Sequence, residues 1–266
     1  MCDIDRRDFI RMSSVGAAGI GLVGGAVLSS ADGLEKNRPI FLQGDGLNLG
    51  PREYANLLAR IAAEGDLEED YYSNGGVVAD LEQRMAGILG KERAVFLPTG
   101  TLANHLALRL LCETYGGRRV VTQAESHVAN DVGDDSEILA GLRVLGLRPG
   151  EVGFTLEEVQ AEDARARGGR VKVRIGAISV ESPVRRKLGG VFDFEELKRI
   201  SAWAASEGIG RHLDGARLFV GAAYTGIPVD QWAGLFDTVY VSLWKYFNAG
   251  SGAILAGSAD SVSYTH

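Results

Sequence analysis

Short apolar strands and amphipathic helices alternate along this chain from Ala94 to Ala256. The alternation favours a mostly parallel sheet, because neighbouring parallel strands need a long crossover connection, usually a helix. We therefore predict an α/β fold with three layers, α/β/α. The 36 glycines suit the tight turns of such a fold. The predicted strands are Arg93–Leu97, Arg119–Thr122, Leu142–Leu147, Val171–Val180, Arg211–Leu213, Thr238–Ser242 and Ala253–Ala256.

Composition narrows the function classes. The chain is 45% hydrophobic and 24% charged, which fits one soluble globular domain. The net charge is −7, and no basic run follows the first few residues, so nucleic acid is not an expected partner. The sequence has neither a Cys/His cluster for a metal nor a G-x-G-x-x-G fingerprint, and we predict no metal site.

Two of the predicted strands end in groups suited to chemistry. Asp214 follows the strand Arg211–Leu213, Arg217 comes shortly after it, and Lys245 follows the strand Thr238–Ser242. Because ligands bind at the carboxyl ends of parallel strands, these side chains should face one crevice. Each residue taken alone is equally compatible with an ordinary surface position.

Together these side chains suit pyridoxal 5′-phosphate (PLP). This cofactor needs a lysine that bonds covalently to its aldehyde carbon and a carboxylate that keeps its ring nitrogen protonated. Lys245 and Asp214 are the candidates for these roles. We expect Arg217 near the ring oxygen or the carboxylate of a substrate.

A second pattern predicts a phosphate site. Gly100 and Thr101 follow the strand Arg93–Leu97, and a helix is expected to open at Leu102. Backbone N–H groups at a helix start bind phosphate well, glycine permits close approach, and the threonine hydroxyl adds a donor. The alternative is an N-cap threonine with no ligand. Asn104 and His105 are expected to cap the helix or to pack against neighbouring residues.

Three motifs carry a resemblance to a known family. The segments PTGTLANHLAL (98–108), HLDGARLF (212–219) and SLWK (242–245) resemble the low-specificity threonine aldolases, which belong to the aromatic β-eliminating lyase/threonine aldolase group of fold-type I PLP enzymes. The resemblance runs from Phe41 to about Ser258. It implies an aspartate-aminotransferase-like large domain over residues 38–258. It also implies a smaller C-terminal domain, so we expect this chain to be truncated.

The resemblance assigns further roles. It places a histidine at His127, stacked on the PLP ring, where an imidazole could also move a proton. A lone histidine is otherwise usually structural. Members of the family have serine directly before the lysine that binds PLP. Here Trp244 takes that place and Ser242 is the nearest serine. The predicted catalytic residues are Lys245 and His127. The predicted cofactor-binding residues are Gly100, Thr101, His127, Asp214, Arg217, Ser242 and Lys245.

The activity that the resemblance implies is aldol cleavage of a β-hydroxy-α-amino acid, of the threonine or allo-threonine type, to glycine and an aldehyde. A β-eliminating lyase, in which Lys245 abstracts the α-proton, remains an alternative. An aminotransferase is a more distant one, and a truncated inactive remnant is another. We expect a small amino-acid substrate and a homodimer or homotetramer. The exposed-looking Tyr71-Tyr72 loop could reach a ligand or a second subunit, or it could pack within its own chain.

The first 31 residues are typical of a twin-arginine (Tat) signal peptide. Arg6-Arg7 precede Phe9-Ile10 and an uncharged, Gly/Ala-rich segment over 12–31. This predicts export by the Tat translocation machinery to the periplasm or another extracytoplasmic space, after PLP loading in the cytoplasm. A retained membrane anchor and a chance arginine pair are the alternatives.

Cys112 has no second cysteine after leader removal and is expected to be a buried structural thiol.

Overall fold

Seven strands form one sheet in the computed structural model, which describes residues 45–65 and 67–262. The strand order is β1-β7-β6-β5-β4-β2-β3, and only β7 runs antiparallel to its neighbours. The predicted mostly parallel α/β sheet is therefore confirmed. The strands are β1 Arg93–Leu97, β2 Arg119–Gln123, β3 Arg143–Leu147, β4 Ile175–Glu181, β5 Gly210–Asp214, β6 Thr238–Ser242 and β7 Ala253–Gly257.

Helices cover both faces of the sheet. Two helix starts are capped by side chains: Thr155 and Glu158 form a capping box, and the Asp193 side chain accepts a hydrogen bond from the Glu196 N–H. The helices are α1 Pro51–Glu64, α2 Gly76–Leu89, α3 Gly100–Tyr115, α4 His127–Asn130, α5 Asp135–Ala140, α6 Leu156–Arg167, α7 Phe194–Glu207, α8 Leu218–Thr225 and α9 Val229–Gly234.

The three layers follow from the alternation of side chains along each strand. In β6, Val239 and Val241 face a core shared with α2, α7 and α9, while Tyr240 faces the opposite core under α3. In β7, Ile254 belongs to the first core and Leu255 to the second. Because successive strand residues point to opposite faces, an apolar strand such as these needs a helix layer on each side.

Two local predictions are wrong. The strand predicted over Val171–Val180 begins only at Ile175 and reaches Glu181, and Val171 is 78% exposed. Every residue of β4 is buried, and Lys172 and Arg174 could not be buried there without partners. The basic run over 165–170 predicts a solvated loop. In the structure α6 continues to Arg167, and Arg165 and Arg167 pair with acids one turn earlier on the same helix.

Further predictions concern Cys112 and the leader. Cys112 is buried, as predicted, and burial raises the pKa of its thiol to about 12. Within residues 45–65 and 67–262, no helix is long and apolar enough to cross a membrane. The Tat leader lies outside the described residues, and so does Phe41, where the family resemblance begins.

Candidate active site

A cavity of about 670 Å³ opens at the carboxyl edge of the sheet. The ends of β4 and β5, the β1–α3 turn and the loop after β6 all contribute to its wall. The parallel pairing of β4 with β5 and β5 with β6 brings these ends together. The lining residues with charged or imidazole side chains are Asp45, His127, Asp131, Glu181, Arg185, Asp214, Arg217 and Lys245.

Helix α3 starts at this cavity. It begins at Gly100, two residues before the predicted start, and the Thr99 side chain caps it by accepting a hydrogen bond from the Leu102 N–H at 3.2 Å. Gly100 and Thr101 therefore lie in the first turn, where backbone N–H groups lack partners within the helix. A side chain at Gly100 would collide with the Tyr240 hydroxyl, so glycine is required here by close packing.

Asp214 ends β5 and is almost completely buried, with 2% of its surface exposed. Its Oδ2 accepts a hydrogen bond of 2.7 Å from Asn104 Nδ2, and its Oδ1 accepts one of 3.1 Å from the Ala216 N–H. Asn104 was predicted to cap or pack. The structure instead places its amide on the carboxylate of the site, because α3 lies directly over β5.

Lys245 lines the cavity from the loop after β6. Burial lowers the pKa of its amine, and the Arg217 charge lowers it further, while the nearby Asp214 carboxylate acts in the opposite direction. A lowered pKa leaves more of the amine neutral at a given pH, and only a neutral amine can attack a carbonyl carbon. The predicted pair, Lys245 and Asp214, therefore shares one cavity.

Arg217 is held by an acid that the sequence did not reveal. Its guanidinium donates to both carboxylate oxygens of Asp45, at 2.8 Å and 2.6 Å, and the Tyr246 hydroxyl donates to the same carboxylate at 3.1 Å. Burial raises the pKa of Asp45, but the hydrogen bonds and charge of Arg217 outweigh it and leave this pKa below its usual value. The ion pair fixes Arg217 at the cavity wall.

His127 begins α4 at the opposite side of the cavity. Its Nε2 lies 3.4 Å from the Thr101 hydroxyl, and its Nδ1 lies 3.5 Å from Asp131. The His127 backbone N–H donates to the Glu181 carboxylate at 2.6 Å. Burial, together with the neighbouring Asp214 charge, raises the pKa of Glu181. Glu181 thus fixes the backbone at the start of α4. No local pattern in the sequence indicates this role.

Ser242 stands apart from the other predicted residues. It is the last residue of β6, it is completely buried, and it does not belong to the cavity wall. The remaining predicted cofactor-binding residues all line the cavity. In the described part of the chain, no group of histidine, cysteine and acidic residues could hold a metal ion.

Comparison with known proteins gives the site a context. The family model described as "Beta-eliminating lyase" matches residues 55–266. A low-specificity L-threonine aldolase of Saccharomyces cerevisiae is 30% identical over 204 residues, which are 74% of this chain and 50% of that protein.

Solved structures agree with this result. The crystal structure of a protein assigned as an L-allo-threonine aldolase, from Listeria monocytogenes, superposes with a TM-score of 0.70 at 35% identity, covering 80% of this chain and 57% of the other. A protein assigned as an aromatic amino acid β-eliminating lyase/threonine aldolase, from Exiguobacterium, gives 0.71 at 32% identity, covering 82% and 59%. The chain spans about half the length of the curated relatives it matches.

Enzymes of this kind depend on PLP. The residues of the cavity fit that cofactor, because one wall offers an amine with a lowered pKa and another a buried carboxylate. The α3 start offers the third element, a first helical turn at the cavity whose backbone N–H groups lack partners within the helix. These are the groups that an aldehyde, a pyridine nitrogen and a phosphate require.

Proposed function

The chain belongs to the β-eliminating lyase family, and we propose that it cleaves a β-hydroxy-α-amino acid of the threonine or allo-threonine type to glycine and an aldehyde, with PLP as its cofactor. One observation carries the proposal: the Lys245 amine, the Asp214 carboxylate, the α3 start and the His127 imidazole line a single cavity. The low-specificity threonine aldolases among the matched relatives support the same reaction class.

Each side chain has a task that its surroundings suit. PLP, when bound, supplies an electron sink for the bond that breaks. Lys245 holds the cofactor through its amine, Asp214 keeps the ring nitrogen protonated, and the first turn of α3 binds the phosphate. Arg217, fixed by Asp45, presents a cation to the ring oxygen or the substrate carboxylate.

Aldol cleavage breaks the Cα–Cβ bond of the substrate. The β-hydroxyl loses its proton and becomes the carbonyl of the aldehyde, while Cα gains a proton and becomes the methylene of glycine. His127 is the proposed acceptor of the hydroxyl proton, since it is the imidazole on the cavity wall in the described part of the chain. Its contacts with Asp131 and Thr101 fix the plane of its ring.

β-Elimination is the second candidate, and the description of the matched family names it. In that reaction Lys245 removes the α-proton and a leaving group departs from Cβ. The same cavity residues serve both reactions, so the products decide between them. Glycine and an aldehyde identify an aldolase, whereas a keto acid and ammonia identify a lyase.

Assembly and export complete the proposal. A homodimer or homotetramer is supported by two observations: Tyr71 and Tyr72 expose their side chains, and helix α1 has no buried residue. A second copy would cover these exposed residues.

The Arg6-Arg7 pattern supports Tat export to the periplasm or another extracytoplasmic space.

The first experiment is a titration of the purified protein with PLP, followed by borohydride reduction and peptide mass spectrometry. We expect a visible absorption band and a reduced adduct on Lys245. Lys245→Ala should abolish the adduct. Lys91→Met is the matched control, because burial also lowers the Lys91 pKa but that lysine lies outside the cavity. An adduct on another lysine would refute the assignment, and bound PLP without turnover of threonine or allo-threonine would refute the aldolase.

A further inference from the structure

A chain of buried side chains runs from the far end of β6 to the carboxylate of the site. The Thr238 hydroxyl lies 2.9 Å from His212 Nδ1, and His212 Nε2 lies 2.9 Å from Asn104 Oδ1. Asn104 Nδ2 then donates to Asp214 Oδ2 at 2.7 Å. Thr238 and His212 are completely buried, and Asn104 and Asp214 are almost so.

With Asp214 ionised and the His212 ring neutral, the hydrogen bonds from Thr238 to Asp214 run in one direction. An ionised Asp214 can only accept, so the Asn104 amide nitrogen must face it and the amide oxygen must face His212. That oxygen needs a donor, which makes the imidazole the Nε2–H tautomer. The neutral ring then accepts at Nδ1, and the Thr238 hydroxyl donates to it. Burial favours this neutral ring, since it lowers the pKa of His212 to about 4.

The chain also joins the two proposed contacts of the cofactor. Asn104 lies one turn after Gly100 on α3, the helix whose start would bind the phosphate. Asp214 lies at the end of β5 and would bind the ring nitrogen. The hydrogen bond between Asn104 and Asp214 therefore links the helix of the proposed phosphate contact to the carboxylate of the proposed ring contact.

We propose that Asn104 and His212 are positioning residues, which hold Asp214 as a carboxylate aimed into the cavity and linked to the helix of the phosphate contact. This proposal rests on the proposed PLP function. Asn104 supplies the hydrogen bond, and His212 fixes the orientation of the Asn104 amide. Without them, Asp214 Oδ2 would be buried without a partner, and the carboxylate would lose the contact that fixes its orientation.

The series of hydrogen bonds from Thr238 through His212 and Asn104 to Asp214 is called the relay below. It is tested on ligand-free protein, independently of any cofactor. Nitrogen-15 NMR of labelled histidine reports which ring nitrogen carries the proton. We expect His212 to be the neutral Nε2–H tautomer, with a solvent-protected N–H that Asn104→Ala exposes. The Nδ1–H tautomer, or an imidazolium at neutral pH, would overturn the proposed direction.

The role of the relay is tested with PLP labelled with nitrogen-15 in the ring. The chemical shift of the bound ring nitrogen should report protonation in the parent protein and a loss of protonation in Asn104→Ala and His212→Leu. Affinity for PLP should fall about tenfold or more, the factor expected when a hydrogen bond to a charged group is lost. His212→Gln, whose amide can donate where Nε2–H does, should restore the protonated signal.

Controls separate positioning from folding. Gln160→Ala, which removes an exposed amide on α6 outside the cavity, should leave the ring signal and the PLP affinity unchanged. If Asn104→Ala fails to fold, the comparison of His212→Leu with His212→Gln decides the question. A protonated ring nitrogen and parental affinity in both Asn104→Ala and His212→Leu would overturn the proposal. A parent protein that binds no PLP would overturn the proposed function, while the tautomer measurement would still decide the relay.

Discussion

The buried imidazole of His212 should make this protein lose stability on mild acidification. Its ring is completely buried, and both ring nitrogens have hydrogen-bond partners. Burial lowers its pKa to about 4, against the opposing charge of Asp214, whereas a histidine in the unfolded chain has a pKa of about 6.5. Between these two values the unfolded chain binds the proton and the folded protein does not.

The sign and size of the effect follow from linkage. Stability from this residue is fully present above about pH 6.5, and it is lost as the pH falls towards the folded pKa. The lowered pKa corresponds to roughly 3 kcal/mol in the acid limit, at about 1.4 kcal/mol per pKa unit. At about pH 4.5 the loss from His212 alone should already be roughly 2 to 3 kcal/mol.

Urea unfolding of the ligand-free protein, followed by circular dichroism between about pH 7 and about pH 4.5, measures this loss. His212→Gln is the matched variant, because its amide can replace the Nε2–H donor but does not titrate. Carboxylates shared by the two proteins cancel in the comparison. We expect the parent to lose roughly 2 to 3 kcal/mol more than His212→Gln over this range. Parallel pH dependences in the two proteins would refute the reasoning.

Three further predictions concern the site and the leader. Gly100→Ala should cost about 1–3 kcal/mol in urea unfolding and weaken PLP binding, because the added methyl group meets Tyr240; parental values for both would contradict the close packing. Asp214→Asn should lower the aldolase rate by several orders of magnitude, each tenfold being about 1.4 kcal/mol of barrier, while covalent PLP attachment persists; a rate within about twofold of the parent would leave Asp214 without a catalytic role. Replacing Arg6 and Arg7 with lysine should retain the protein in the cytoplasm on cell fractionation, and undisturbed export would exclude the Tat route.

The predictable part of the site came from strand ends. Asp214 ends the short strand β5 and Lys245 follows the short strand β6, and the parallel sheet brings these strand ends to one edge without further information. Gly100 and Thr101 also carry a local pattern. Their helix begins at Gly100, two residues earlier than predicted. A glycine at this point of the sequence indicates a turn, whereas the structure shows that close packing against Tyr240 requires glycine here.

The unpredicted part consists of partners that are distant along the chain. Asp45 meets Arg217 across 172 positions, and Asn104 meets Asp214 across 110. Neither pair has a local spacing that would indicate contact, and an asparagine inside a helix is compatible with many roles. Glu181 likewise ends a fully buried strand, and only the fold shows that its carboxylate accepts a hydrogen bond from the His127 backbone N–H.

The reversed direction of β7 has a consequence for the lysine. Because β6 and β7 are antiparallel neighbours, the segment 243–252 leaves and re-enters the sheet at the same edge, and the Leu243 N–H closes it by bonding to the Gly252 carbonyl. Lys245 thus belongs to a hairpin anchored at both ends, instead of a crossover that leads away to a helix. Trp244 lines the cavity from this closed segment, and Phe247 packs edge-to-face against Phe219 with the ring centroids 5.1 Å apart. The cavity wall therefore gains an aromatic side chain that is not part of the sheet.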